Sequence, residues 1–172
     1  MTHRPSKAAS MTGIAAMATL ALVLASCLPL SAGDTARYDY RSGASYAVPA
    51  GGTLYLDASL TLADMGLDAE AVEDRSLNWI PLGIRGESAS ALGWISITPP
   101  DAPAGWQVRL WTIRVVRERP LGRPDDPARY RVEASLRVDV PEEAFDLTRR
   151  VSTRLVSREG RDFPLTFLVE AR

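Results

Sequence analysis

Apolar residues recur at every second position through much of this chain, and that alternation predicts half-buried β-strands. Across residues 130–140, Tyr130, Val132, Ala134, Leu136, Val138 and Val140 share one face, while Arg131, Glu133, Ser135, Arg137 and Asp139 share the other. A helix would scatter those apolar groups around its circumference. Phe163, Leu165, Phe167, Val169 and Ala171 repeat the pattern near the C-terminus, and Leu54, Leu56, Ala58 and Leu60 repeat it after the Gly51-Gly52 turn. Pro164 has no amide proton to give a ladder, so its strand is expected to begin at an edge or a bulge.

Residues 106–118 form a longer strand whose register changes: Val108 and Leu110 fit one parity, Ile113 and Val115 the other. A bulge near Trp111-Thr112 reconciles them. Residues 119–127 follow, with Pro120, Pro124, Pro127 and Gly122 forbidding a continued ladder. Residues 106–118 and 130–140 are therefore predicted to form an antiparallel hairpin with a long exposed tip. A second hairpin is predicted between 152–156 and 163–170, around the turn at Arg158–Asp162. Further strands are expected at 77–85 and 93–98, and one helical turn within 63–75.

The start of the chain departs from this pattern. His3, Arg4 and Lys7 precede a run of apolar and small residues over 14–25, which is the anatomy of a secretory signal. The run is twelve residues long, short of the roughly 20 that cross a bilayer. Its end, Leu24-Ala25-Ser26-Cys27, resembles the lipobox of bacterial lipoproteins. That resemblance implies cleavage before Cys27, a thioether-linked diacylglycerol on its sulfur and an N-acyl chain such as palmitate, a stable membrane anchor. Leu28, where an Asp would by family habit retain the protein at the inner membrane, implies the outer membrane in a cell that has one. The alternative is cleavage before Gly33, after Leu30-Ser31-Ala32, which releases a soluble secreted protein. The expected organisation is a signal peptide over 1–26, a flexible tether over 27–45 and one domain over 46–172.

Seven or eight strands separated by Gly and Pro turns describe an all-β, antiparallel β-sandwich. The pattern is similar to the broad immunoglobulin-like or fibronectin-III-like class, without the Cys…Trp…Cys core of antibody domains.

Composition then removes whole classes of chemistry. The only His and the only Lys lie in the signal, and the only Cys is the lipid site. Beyond residue 26 that leaves no His or Cys metal site, no Ser-His-Asp or Cys-His nucleophile, no Schiff-base lysine and no lysine-dependent phosphate loop. No cofactor is expected. Eighteen Arg against twenty-one acidic residues give the mature chain a formal charge of −3, a poor match for nucleic acid. The acids between Asp57 and Asp74 lack the spacing of a calcium loop.

Three readings of function follow. The first is a lipid-anchored cell-envelope protein whose non-catalytic sandwich binds or supports another envelope component, a protein partner, through the hairpin tip with Arg123 and Asp125. The second is a carbohydrate-binding module, a glycan stacking on Trp94 and Trp111. Trp94 shares parity with Ser96 and Thr98 and is expected to be exposed. The third, a hydrolase using two carboxylates, is the one acid/base chemistry left, with Asp57, Asp101 and Glu133 named by residue type alone.

Overall fold

The computed structural model describes residues 34–73, 77–118 and 129–172. Among them lie ten strands: β1 (Thr35–Asp39), β2 (Ser45–Val48), β3 (Thr53–Thr61), β4 (Ile80–Pro81), β5 (Gly86–Ser90), β6 (Ile95–Ile97), β7 (Gln107–Glu118), β8 (Arg129–Asp139), β9 (Leu147–Ser157) and β10 (Asp162–Ala171). A six-stranded sheet has the order β1-β3-β8-β7-β5-β4, and a four-stranded sheet the order β2-β10-β9-β6. The two pack face to face as a β-sandwich. Leu54 and Leu56 of β3, Val115 of β7 and Leu136 of β8 meet Val151 and Leu155 of β9 and Leu165 and Phe167 of β10 in one buried cluster.

The strong alternations appear where the pattern puts them. β7 and β8 pair antiparallel, and the register shifts between Leu110↔Leu136 and Thr112↔Ser135, which makes Trp111 the bulged residue. The bulge lets Leu110 and Ile113 both serve the inner face although their parity differs. β9 and β10 form the second hairpin. Pro164 pairs with Arg154, whereas β2 joins the other side of β10 only from Leu168 onward. Thr166 and Leu168, of the same parity as Pro164, direct their backbone groups away from β9 to Tyr40, Gly43 and Ala44. The missing donor at Pro164 therefore falls on an open flank and breaks no ladder bond.

The differences lie at the margins. β1 and β2 occupy part of the segment expected to be a tether over 27–45, and from Asp34 onward that segment belongs to the domain. β1 carries no alternation: only Ala36 of this edge strand packs against the core, so nothing in its sequence demanded a strand. β1 runs parallel to β3 and β2 parallel to β10, two exceptions to an otherwise antiparallel fold. The chain changes sheets in the turn between them, where the Tyr46 hydroxyl accepts the Arg41 N–H at 2.5 Å and donates to the Asp39 carbonyl at 3.1 Å. The strand expected over 77–85 contracts to β4 and a 3-10 turn at Gly83–Arg85, and β5 follows it. A 3-10 turn at Ala63–Met65 and α1 (Ala69–Glu73) fulfil the helical expectation.

The sandwich has two distinct ends. At one, Asp34 gives its carbonyl to the Thr53 N–H, Gly52 gives its own to the Val140 N–H, and Arg172 bonds Val48 and Ala50. At the other lie the last pairs of the long hairpin, Glu118↔Arg129, and the end of β3, Thr61↔Arg131. Residues 119–128, the hairpin tip, lie outside the described residues. The domain thus begins at the end opposite the one from which that hairpin leads.

Candidate functional site

Strand alternation sends Tyr55 and Asp57 of β3 and Glu133, Ser135 and Arg137 of β8 to the outer face of the six-stranded sheet, since their neighbours Leu54, Leu56, Val132, Ala134 and Leu136 are all buried. Arg37 of β1 reaches across the parallel seam and donates to both carboxylate oxygens of Asp57, at 2.5 and 2.9 Å. Ser135, directly opposite Asp57, donates to the same carboxylate. Two residues along β8, Glu133 accepts from Arg114 of β7 at 2.7 Å and from Arg131 at 2.9 and 2.7 Å. Asp139 accepts from Thr53 and Arg137, each at 2.8 Å, and from Arg109 at 3.3 Å. A ladder of guanidinium–carboxylate pairs covers the face.

These pairs set the protonation states. Burial pushes the Asp57 carboxyl up, but hydrogen bonds from Arg37 and Ser135 and the nearby charges outweigh it, and its pKa ends below the ordinary value. Glu133 follows the same balance, with burial overcome by the hydrogen bonds from Arg131 and Arg114. Both carboxylates are therefore anions at neutral pH, whereas a general acid needs a proton to give. Asp101 lies elsewhere, bonded through its backbone to Ser152 of β9. The structure brings Asp57 and Glu133 onto one face and leaves Asp101 out. Among the described residues no group of three His, Cys, Asp or Glu side chains is placed to hold a metal ion.

Trp111 gives the face its aromatic feature. As the bulged residue it turns outward and stays 50% exposed. Its ring meets Tyr55 edge-on at 5.8 Å, and the Arg137 guanidinium lies 5.5 Å from its centre and 5.9 Å from that of Tyr55. Beside it opens a groove of about 470 Å³, lined by Trp111, Arg37, Asp57, Arg114, Glu133 and Ser135. Trp79, Trp94 and Trp106 are instead partly buried against the core. The expected exposure of Trp94 fails because β6 begins only at Ile95: Trp94 sits in the preceding turn, its N–H bonded to the Ala91 carbonyl at 3.0 Å, and strand parity does not govern it. Trp94 and Trp111 lie in different layers and form no shared platform. Arg123 and Asp125 lie outside the described residues, as does Cys27.

A second cluster, absent from the sequence reading, closes the hairpin end of the sandwich. Arg117 of β7 donates to Glu87 of β5 at 3.1 Å and lies 4.5 Å from the centre of the Trp79 ring. Trp79 meets Tyr130, whose hydroxyl donates to Glu73 of α1. The Glu87 hydrogen bond holds the Arg117 pKa up, while burial, then Glu73, raises that of Tyr130. Arg117 and Tyr130 are register partners, and the missed signal was this polar pair at a position of core parity.

No family model and no curated protein sequence matches the chain. Among solved structures, it is similar to a cysteine protease inhibitor from Entamoeba histolytica, at 9% identity over 80% of this chain and 97% of that one, with a TM-score of 0.39.

Proposed function

We propose that this is a lipid-anchored cell-envelope protein whose β-sandwich binds another envelope component without catalysis. The supporting observation is the polarity of the domain. Its first strand starts at the end where Asp34, Gly52 and Arg172 gather, and the β7–β8 hairpin points to the other. A tether joined ahead of Asp34 attaches to the first end and leaves the hairpin facing away from the membrane, free to meet a partner. The lipobox-like Cys27 supplies the anchor. The ionised, arginine-paired Asp57 and Glu133 favour recognition over hydrolysis, because neither holds a proton for a leaving group.

The test is Cys27→Ser in the full chain, followed by cell fractionation. The unsubstituted protein is expected in the membrane pellet and the variant in the soluble exported fraction. A variant that stays in the pellet unchanged overturns the anchor.

A further inference from the structure

We propose that the groove beside Trp111 binds a neutral glycan, with one pyranose ring stacked on the indole and its hydroxyls bonded to Arg37, Asp57, Arg114 and Ser135. The inference names a ligand class for the envelope-binding reading above and rests on it. Four features of the outer face carry it.

The first is a supported platform. Trp111 is held by Tyr55 and Arg137 yet remains half exposed, so little side-chain freedom is left to lose on binding. The axial C–H groups of a sugar ring supply the flat, weakly positive face that an indole attracts. The second is the lining, where one aromatic surface stands among charged and hydroxyl groups, a poor match for an apolar ligand. The volume of about 470 Å³ falls within the size range of small-ligand sites.

The third is charge. Arg37 and Arg114 are already committed to Asp57 and Glu133, so the groove offers no unneutralised cation to an anionic ligand. The same pairing cancels the attraction of Asp57 and Glu133 for a cation. Asp39 adds one further carboxylate to the lining, which disfavours an anionic ligand, and the rest is hydrogen-bonding capacity: Arg37 bonds Asp57 through Nε and one Nη, and the Arg114 side chain is 46% exposed. Sugar hydroxyls both donate and accept, and they satisfy such a surface without adding charge. The fourth is the floor. Its centre runs over β3 and β8, each flanked by strands on both sides, so a peptide lying there finds no open backbone edge to join; the edge strand β1 enters the lining through Arg37 and Asp39.

The experiment is calorimetric titration of the full chain, in a detergent without a sugar headgroup, with maltohexaose, cellohexaose and chitohexaose. At least one is expected to bind saturably, and Trp111→Ala to weaken it by about tenfold or more while leaving the thermal transition in place. In the unsubstituted protein the bound glycan is expected to shield one Trp from acrylamide, a readout that needs no variant. Absence of saturation with all three, equal affinity in Trp111→Ala, or no shielding overturns the proposal. So does saturable binding of short peptides without any glycan. None of these results touches the anchor, which is read by fractionation of Cys27→Ser.

Discussion

Arg37 and Asp57, twenty residues apart in the chain, form a two-point ion pair across the parallel seam between β1 and β3, with N–O distances of 2.5 and 2.9 Å. It ties the N-terminal edge strand, which has little apolar grip of its own, to β3, its neighbour in the six-stranded sheet. A bidentate guanidinium–carboxylate pair adds geometric specificity as well as attraction. The strand that follows whatever precedes the domain is thus fastened by a polar clamp.

That clamp predicts an acid response. The folded-state pKa of Asp57 and of Glu133 lies below the ordinary carboxylate value, so the stability they confer is fully present above about pH 5 and is lost as pH falls through the ordinary value to the lower folded one. Thermal melts between neutral and strongly acid pH are expected to show a falling midpoint in that window. Arg37→Ala, which removes one partner, is expected to flatten the Asp57 share of the dependence. An unchanged acid slope in that variant contradicts the assignment.

Leu136→Asp tests the facing of β8. Leu136 is 1% exposed, opposite Leu56 and within the shared core. An unpaired carboxylate there costs on the order of 4 kcal/mol, a large part of the net stability of an ordinary domain. The variant is expected to lose its cooperative thermal transition, and a transition at the unsubstituted midpoint contradicts the orientation.

Gly86→Ala tests the join of β5 to β7. Gly86 has φ 133°, and a Cβ built on it falls 2.0 Å from the Arg117 carbonyl oxygen, with no flexible side chain to yield. The backbone must shift, at an expected cost of about 2 kcal/mol or more. Chemical denaturation is the measurement. Hydrogen exchange should further show opening confined to β4 and β5 before the rest of the sheet.

Deleting residues 121–126 tests the hairpin tip. The paired strands on either side, Glu118↔Arg129 inward, carry their own ladder, so the melting midpoint is expected to shift by only a few degrees. Recovery of protein neighbours by cross-linking in the envelope is expected to fall. Recovery of every neighbour at full yield removes the tip from the binding surface.

Much of the fold was legible because burial on one face of a strand writes a period of two into the sequence. Residues 130–140, 163–171 and 54–60 announced β8, β10 and β3, and the parity change between Leu110 and Ile113 announced the bulge at Trp111. The segments that escaped were those whose pairing leaves no such mark. β1 is an edge strand with one inward residue, and of the strand expected over 77–85 only the two exposed residues of β4 pair. Of the site residues, Trp111 was legible as a candidate, while Trp94 misled because strand parity was extended into a turn.

By itself the sequence determined the period of the strands, the place of the bulge and the chemistry excluded by the absence of His and Lys beyond residue 7. Those are local properties, set by each residue and its near neighbours. Tertiary structure alone decided that Arg37 meets Asp57, that Arg114 and Arg131 hold Glu133 ionised, and that Trp111 stands on Tyr55 and Arg137 beside a groove. Each of those relationships joins strands through the sheet order β1-β3-β8-β7, and no spacing along the chain encodes which outward-facing charge will stand opposite which.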